Sequence, residues 1–155
     1  MQRSHYAKAT NIRDASHLSV GIVVSDFNSD VTERLLTGAQ TTLRQWGVKE
    51  KNIRTIHVPG SFEIPFGCTK LLSGKKKPDA IIALGCVIKG ETEHDRYISH
   101  AVAAGITTLS INYKTPIAFG VITPNSLAQA RVRSTGKHNK GVEAATAALT
   151  CALLP

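Results

Sequence analysis

Four short apolar segments recur along the chain and predict β-strands. The first and third consist almost entirely of apolar residues, which is typical of strands buried on both faces of a parallel sheet. Residue types alternate more weakly in the second, so we expect that strand at an edge of the sheet. Gly85 is expected to end the third strand. The predicted strands cover residues 18–25, 53–58, 80–84 and 117–122.

Between these strands, apolar residues recur every three or four positions and predict amphipathic helices. The first helix is expected to begin with a capping box from Asp30 to Glu33 and to end at Gly47. Pro65 is expected in the first turn of the second helix. The predicted helices cover residues 30–46, 66–72, 95–112, 123–132 and 142–153.

The alternation of strands and helices predicts an α/β protein, because helices that connect parallel strands cover both faces of the sheet. We therefore expect a flavodoxin-like three-layer α/β/α sandwich with a four-stranded parallel sheet. A length of 155 residues suits one compact domain. We place this domain at residues 18–155 and a polar N-terminal arm, which has no helical or alternating pattern, at residues 1–17.

Residues with chemically useful side chains follow the ends of the predicted strands. Phe27 follows the first strand, residues 60–63 follow the second, residues 89–94 follow the third and Thr123 follows the fourth. The carboxyl ends of parallel strands lie along one edge of the sheet, and ligands bind at this edge in open α/β proteins. The sequence therefore predicts a ligand site formed by these turns.

Two titratable side chains in these turns are candidates for chemistry. The imidazole of His94 suits acid and base catalysis near neutral pH, although a lone histidine is often only a surface or hydrogen-bonded residue. Glu63 lies between Phe62 and Ile64, and an acid among apolar residues needs a partner or a ligand. It could instead cap the helix that follows. Both interpretations stay open for each residue.

A flat, nitrogen-rich ring and a phosphate are the ligand groups that such side chains would suit. The ring would stack on a phenylalanine and bond to a carboxylate, while Thr92, Arg133 and Lys137 offer hydrogen-bond donors to a phosphate. No Walker A, GxGxxG, GxSxG or HExxH motif is present in the sequence. ATP-driven, dinucleotide-dependent and common hydrolase chemistries therefore lose support.

The chain has a formal net charge of +8 and a pI near 9.7, which favours anionic ligands such as phosphate esters, nucleic acid or membrane surfaces. Charge alone does not choose among them. The basic run at residues 75–77 is interpreted as a solvated turn rather than a binding patch. Aromatic residues make up only 5% of the chain, so little is available for stacking on bases. We expect neither a nucleic-acid nor a membrane partner.

The cysteine pattern and the start of the sequence suggest a cytoplasmic location. Cys68, Cys86 and Cys151 form no CxxC pair, so we expect buried, reduced thiols rather than a metal site or disulfides. Residues 1–17 lack the apolar core of a signal peptide, and no apolar run is long enough to span a bilayer.

Several motifs in this order resemble those of the 6,7-dimethyl-8-ribityllumazine synthase family, whose members catalyse the penultimate step of riboflavin biosynthesis. The resemblance extends over residues 18–153. In the first motif, Asp26 stands where the family has arginine, and Glu91 in the third stands where a small residue is common. The motifs are Phe27-Asn28, Gly60-Ser-Phe-Glu-Ile-Pro65, Gly85-Cys-Val-Ile-Lys-Gly-Glu-Thr-Glu-His94, Phe119-Gly-Val121, and Arg133 with Gly136-Lys-His-Asn-Lys-Gly141.

This resemblance implies an enzyme that condenses 5-amino-6-(D-ribitylamino)uracil with 3,4-dihydroxy-2-butanone 4-phosphate to give the lumazine, phosphate and water, without a metal ion or an organic cofactor. It implies that His94 donates and accepts protons. The residues implied for the pyrimidine and ribityl chain are Phe27, Ser61, Phe62, Glu63, Cys86, Val87, Ile88 and Phe119. Those implied for the butanone phosphate are Glu91, Thr92, Arg133 and Lys137.

The resemblance also implies a homo-oligomer with active sites between subunits. Phe119, Arg133 and Lys137 would come from the neighbouring subunit of a pentamer, and the pentamer, the decamer and the sixty-subunit shell all stay open. Riboflavin synthase is a candidate partner. The alternative is a non-catalytic protein of the same fold that binds a flavin or a lumazine or forms a shell.

Overall fold

A computed structural model describes residues 11–155, which contain one four-stranded parallel sheet in the order β2-β1-β3-β4. The reversal of strand order between β1 and β3 is the point at which α/β sheets of this kind open to ligands. The predicted α/β class and parallel sheet are confirmed. The strands are β1 (Val20–Ser25), β2 (Ile53–Val58), β3 (Ala80–Cys86) and β4 (Ile117–Ile122).

Helices cover both faces of the sheet, as the predicted three-layer sandwich requires. Helices α1 and α5 pack on one face, and α2 and α3 pack on the other. Residues 11–155 contain five α-helices and three short 3₁₀ helices. The α-helices are α1 (Ser29–Gln45), α2 (Ile64–Leu72), α3 (His94–Tyr113), α4 (Leu127–Arg133) and α5 (Lys140–Ala152). The 3₁₀ helices are Glu50–Asn52, Ser61–Glu63 and Gly136–His138.

Burial along the strands follows the sequence pattern. Every residue of β1 and β3 is buried, because helices cover both faces of these two central strands. Strand β2 mixes exposed and half-buried residues and lies at the edge of the sheet, as its weak alternation predicted. The predicted bounds of β2 and β4 agree with the structure.

Two strand boundaries differ from the prediction. Strand β1 begins at Val20 rather than at residue 18, because the backbone N–H of Ser19 donates to the Asp79 carboxylate at 2.7 Å instead of joining the sheet. Strand β3 continues to Cys86, so the prediction that Gly85 ends it was wrong. A Cβ at Gly85 would lie 2.6 Å from the Ser61 hydroxyl, so glycine is present because of this close approach.

The predicted capping box of α1 was wrong. The helix begins at Ser29, and the residue before it, Asn28, has a left-handed backbone with φ of 62° and makes no side-chain cap. Its side chain donates instead to the carbonyl of Cys86 at 2.9 Å. Asp30 pairs with Arg131 at 3.4 Å, so neither polar side chain is available to cap the helix.

Smaller differences remain at other helix ends and at one cysteine. Helix α2 begins two residues earlier than predicted, α4 is shorter, and α5 begins at Lys140. Cys68 and Cys86 are buried as expected, whereas Cys151 is exposed on the outer side of α5. The arm predicted at residues 1–17 lies partly outside the described residues. Within the described part, the Ala15 N–H donates to the Trp46 carbonyl at 2.8 Å. The division into arm and domain stays a prediction.

Candidate functional site

The turns after β1, β2 and β3 enclose a cavity of about 700 Å³. We call it the His94 cavity. Its walls are largely apolar and aromatic, with one imidazole, two carboxylates and three hydroxyls among them. The lining residues are Phe27, Asn28, Gly60, Ser61, Phe62, Glu63, Cys86, Val87, Ile88, Gly90, Thr92, His94, Asp95, Tyr97 and Ile98.

The turn after β3 is held against the continuation of β4. The Val87 N–H donates to the Ile122 carbonyl at 2.9 Å, and the Lys89 N–H donates to the Pro124 carbonyl at 3.0 Å. The chain then reaches His94, the first residue of α3, whose N–H lies 3.4 Å from the Thr92 hydroxyl. Because a helix N-terminus has free N–H groups and a partial positive charge, this end of the cavity favours anions.

The turn after β2 forms the opposite wall. It folds into the 3₁₀ helix Ser61–Glu63, and the buried Ser61 hydroxyl lies 3.4 Å from that of Ser25 at the end of β1. Glu63 precedes α2 directly, but its side chain makes no capping hydrogen bond. The interpretation of Glu63 as a helix cap was therefore wrong, and its half-buried carboxylate is available to the cavity.

The turn after β1 presents an aromatic ring at the cavity mouth. The Phe27 N–H donates to the Pro59 carbonyl at 3.1 Å, and Asn28 bonds to the Cys86 carbonyl, so the turn is fixed to both neighbouring strands. The side chain of Phe27 is nevertheless 69% exposed, and that of Phe62 is 58% exposed. Exposed rings at a cavity mouth are suited to stacking on a planar ligand.

Cys86 contributes a neutral thiol to the cavity. Burial, with a smaller contribution from the Asp30 carboxylate, raises the pKa of the Cys86 thiol to about 11. A thiol with this pKa is protonated at neutral pH and behaves as a small apolar group. Cys86 therefore shapes the floor of the cavity rather than acting as a nucleophile.

A second cavity, of about 520 Å³, lies along β4 and α5, and we call it the Arg133 cavity. It contains the cations Arg133 and Lys140 and the ring of Phe119, which is 47% exposed. Lys140 forms an ion pair with Glu143. The lining residues are Ala118, Phe119, Gly120, Val121, Ile122, Thr123, Arg133, Lys140, Glu143, Ala144 and Ala147.

The structure thus separates the predicted site residues into three groups. Phe119 and Arg133 line the Arg133 cavity, whereas Glu91 and Lys137 are exposed and line neither cavity. The other predicted residues lie together in the His94 cavity, namely Phe27, Ser61, Phe62, Glu63, Cys86, Val87, Ile88, Thr92 and His94. The catalytic and binding roles of all of them stay predictions.

Comparison with known proteins identifies the family. The family model for 6,7-dimethyl-8-ribityllumazine synthase matches residues 17–155. The chain belongs to this family. A protein of this name from Parabacteroides distasonis is 45% identical over 140 residues, which cover 90% of this chain and 87% of the relative. The protein of the same name from Christiangramia forsetii is 44% identical over 152 residues, which cover 97% of this chain and 90% of the relative.

A third relative is similar to the same degree. The 6,7-dimethyl-8-ribityllumazine synthase from Kosmotoga olearia is 46% identical over 138 residues, and the match covers 88% of each chain. The match to the family model, over residues 17–155, includes all the lining residues of both cavities. Membership of the lumazine synthase family therefore applies to the whole folded region and not to one motif.

The cavity residues that were not predicted for the lumazine synthase site include Asn28, Tyr97, Lys140 and Glu143. Asn28 and Lys140 lie inside the motifs that indicated the family, so their place in the motif was an available signal. Tyr97 and Glu143 lie one turn into α3 and α5, where helical periodicity alone does not show which residues line a cavity.

Two further observations concern the described part of the chain. None of its helices combines the length and the apolar character needed to cross a membrane. Among residues 11–155, no three His, Cys, Asp or Glu side chains are grouped so that they could hold a metal ion.

Proposed function

We propose that this chain condenses 5-amino-6-(D-ribitylamino)uracil with 3,4-dihydroxy-2-butanone 4-phosphate to give 6,7-dimethyl-8-ribityllumazine, phosphate and water. The observation that supports this most directly is the His94 cavity. It combines exposed aromatic rings for a planar pyrimidine, a carboxylate for ring nitrogens and an imidazole for proton transfer in one enclosed space. Two relatives named 6,7-dimethyl-8-ribityllumazine synthase are 45% and 44% identical to this chain over 90% and 97% of its length.

The pyrimidine substrate would bind in the His94 cavity with its ring on Phe27. Glu63 would accept hydrogen bonds from its N–H groups, and the apolar floor near Val87 and Ile88 would exclude water from the reacting atoms. The ribityl chain would follow the same floor. The butanone phosphate would lie near Thr92 and the N-terminus of α3, where free N–H groups favour an anion.

Each step of the proposed reaction moves a proton that His94 is placed to carry. The substrate's amine attacks the ketone, water leaves to give an imine, phosphate is eliminated, and the second amine closes the ring with loss of another water. Protonating a departing oxygen or removing a proton from carbon lowers each barrier. Holding both substrates in one cavity supplies a further large share of the acceleration.

The cations for the departing phosphate would come from a neighbouring subunit. Arg133 and Phe119 line a different cavity from His94, and Phe119 is on the edge strand β4 with almost half of its surface exposed. We propose a homopentamer, or an assembly of pentamers, in which the Arg133 cavity of one subunit closes the His94 cavity of the next. A site at a subunit interface explains why one chain has two incomplete halves.

We also propose a cytoplasmic location, no nucleic-acid partner and riboflavin synthase as the enzyme that consumes the product. The net charge of +8 then serves to attract the anionic substrate.

Turnover of the purified protein with both substrates tests the proposal. Formation of the lumazine, followed by its absorbance and fluorescence, should exceed the uncatalysed rate and release one phosphate for each product molecule. Ligand-dependent fluorescence without turnover would instead indicate a binding protein of the same fold and would reject the proposed activity.

A further inference from the structure

Asn139 is a buried polar residue that uses its whole side-chain amide. It is only 8% exposed and stands immediately before α5. Its Nδ2 group donates to the carbonyls of Arg34 at 2.8 Å and Ser134 at 2.9 Å, and its Oδ1 accepts from the Gly141 N–H at 2.8 Å. Both amide hydrogens and the oxygen therefore have partners.

These three bonds connect three separate parts of the chain. Arg34 belongs to α1, Ser134 is the residue that ends α4, and Gly141 is in the first turn of α5. The amide of Asn139 thus fixes both ends of residues 134–141 to each other and to α1. Buried carbonyls that lose such donors are costly, so the structure strongly resists displacement at this point.

Tight packing leaves the amide little alternative position. A Cβ at Gly38 of α1 would lie 2.6 Å from both Oδ1 and Nδ2 of Asn139, so the amide lies directly against the backbone of α1. A Cβ at Gly141 would lie 1.9 Å from the Leu35 carbonyl. Segment 134–141 therefore contacts α1 through the Asn139 amide at Gly38 and through its own backbone at Gly141.

Three cations are attached to this segment. Arg133 precedes Ser134, Lys137 lies in its middle, and Lys140 follows Asn139. Within the described residues, the guanidinium of Arg133 bonds to the Gln129 carbonyl of its own helix at 3.2 Å. The position of this cation relative to the rest of the fold therefore follows its backbone, and Asn139 ties the carbonyl of the next residue, Ser134, to α1.

We propose that Asn139 is a positioning residue for the phosphate substrate. It holds segment 134–141 on α1, so that the cations attached to the segment meet the substrate phosphate in the neighbouring subunit's His94 cavity. This inference rests on the proposed function. It predicts that loss of the amide weakens the phosphate-bearing substrate selectively, because the pyrimidine cavity is built from other turns of the chain.

Two substitutions at Asn139 separate positioning from simple helix capping. Asn139→Ala removes all three bonds. Asn139→Asp keeps an oxygen for the Gly141 N–H, and aspartate caps helices well, but it cannot donate to Arg34 or Ser134. Asn52→Ala is the matched control, since the Asn52 amide also donates to a backbone carbonyl, that of Leu18 at 3.3 Å, at the opposite edge of the sheet.

Two measurements test the inference. Steady-state kinetics with each substrate varied gives the two KM values, and calorimetric titration gives the dissociation constant of inorganic phosphate. We expect Asn139→Ala and Asn139→Asp to raise the KM for the butanone phosphate and the dissociation constant of phosphate by about tenfold or more, as for loss of a charge-assisted contact. The KM for the pyrimidine should change by less than about twofold in these variants. In Asn52→Ala, both KM values and the dissociation constant of phosphate should also change by less than about twofold.

Three other results overturn the inference. If the KM values for both substrates rise equally, or if phosphate binding is unchanged and only the Tm falls, Asn139 is merely structural. If Asn139→Asp restores wild-type phosphate binding, the role of Asn139 is helix capping. If the alanine variant does not fold, Gly38→Ala displaces the intact amide and must give the same selective loss.

Two further outcomes separate this inference from the proposed function. If the wild-type protein binds phosphate more tightly than the variants but shows no turnover, the proposed function is rejected and this inference is kept. Absence of both phosphate binding and turnover would reject both.

Discussion

The His94 cavity and the Arg133 cavity lie in one chain but are built in different ways. The first collects three turns at the carboxyl ends of β1, β2 and β3, and backbone hydrogen bonds between neighbouring strands fix those turns. The second uses the exposed edge strand β4, and its cations depend on segment 134–141, which side-chain bonds attach to α1. The sheet itself positions His94, whereas one buried amide fixes the segment that carries Lys137 and Lys140.

The two cavities also differ in polarity. Aromatic and aliphatic side chains dominate the walls of the His94 cavity, which suits a planar ring and a reaction that excludes water. The Arg133 cavity has a guanidinium and an ammonium group, which suits a phosphate. In the proposed assembly, the Arg133 cavity of one chain supplies the phosphate-binding groups and the His94 cavity of its neighbour supplies the ring-binding groups. The predictions below test this division.

Loss of His94 should have the largest effect. We expect His94→Ala to lower kcat by about 10²–10⁴-fold, the usual contribution of general acid and base catalysis, with little change in pyrimidine affinity. His100→Ala is the control, because His100 is exposed on the same helix and lines neither cavity. A variant at position 94 with near wild-type kcat would remove the imidazole from the mechanism.

Loss of Arg133 should affect the other half of the site. We expect Arg133→Ala to raise the KM for the butanone phosphate by about 10- to 100-fold, which corresponds to losing a hydrogen bond to a charged group. Arg131→Ala is matched to it, since Arg131 is on the same helix but pairs with Asp30 outside the cavity. Equal losses for both arginines would show that general electrostatic attraction, not a specific contact, is responsible.

Loss of the Phe27 ring should have a moderate effect, confined to the pyrimidine. Stacking of a base on an aromatic ring is worth about 1–3 kcal/mol, so Phe27→Ala should raise the KM for the pyrimidine by about 5- to 100-fold. Phe66→Ala provides the comparison, because Phe66 is similarly exposed, at 63%, but lies outside both cavities. A shift in the KM for the butanone phosphate instead would reverse the assignment of the two cavities.

The smallest predicted effect concerns the thiol in the His94 cavity. Burial raises the pKa of Cys86 from 9.0 to about 11, so the folded state holds this proton more tightly than the unfolded chain does. The resulting stability is fully present below pH 9 and is lost as the pH rises through about 11. The free energy of unfolding should therefore fall over this range, by less than the roughly 1.4 kcal/mol per pH unit of a fully buried group.

Chemical denaturation of the wild type, Cys86→Ala and Cys151→Ala between pH 8 and pH 11 checks this point. The decrease in the free energy of unfolding per pH unit should be smaller in Cys86→Ala than in the wild type. It should be unchanged in Cys151→Ala, whose thiol is exposed. Equal slopes in all three proteins would mean that the cavity floor is open to water.

Most of the sheet and much of the His94 cavity could be predicted from the sequence, because both depend on local signals. Apolar runs identify the strands, and the carboxyl ends of parallel strands converge on one edge, so Phe27, Glu63 and His94 could be expected together. The edge position of β2 followed from its alternation in the same way.

Long-range side-chain bonds account for what the sequence did not reveal. The predicted start of α1 was wrong because the Asn28 side chain bonds to a carbonyl 58 residues away, and no local sequence pattern indicates such a partner. The bond from Asn139 to Arg34 spans 105 residues, and the contribution of Lys140 to the Arg133 cavity depends on it. The exposure of Cys151 likewise depends on which side of α5 faces the sheet.

Subunit complementation tests the division between the two cavities most directly. His94→Ala and Arg133→Ala chains are co-expressed and purified as mixed assemblies, and turnover is measured at a butanone phosphate concentration well below the wild-type KM, where each variant alone is nearly inactive. If each site takes His94 from one chain and Arg133 from its neighbour, random mixing leaves about one quarter of the sites with both residues intact, and about that share of the wild-type rate should return. If both residues act within one chain, no site is intact, and activity no higher than that of the separate variants would contradict the account.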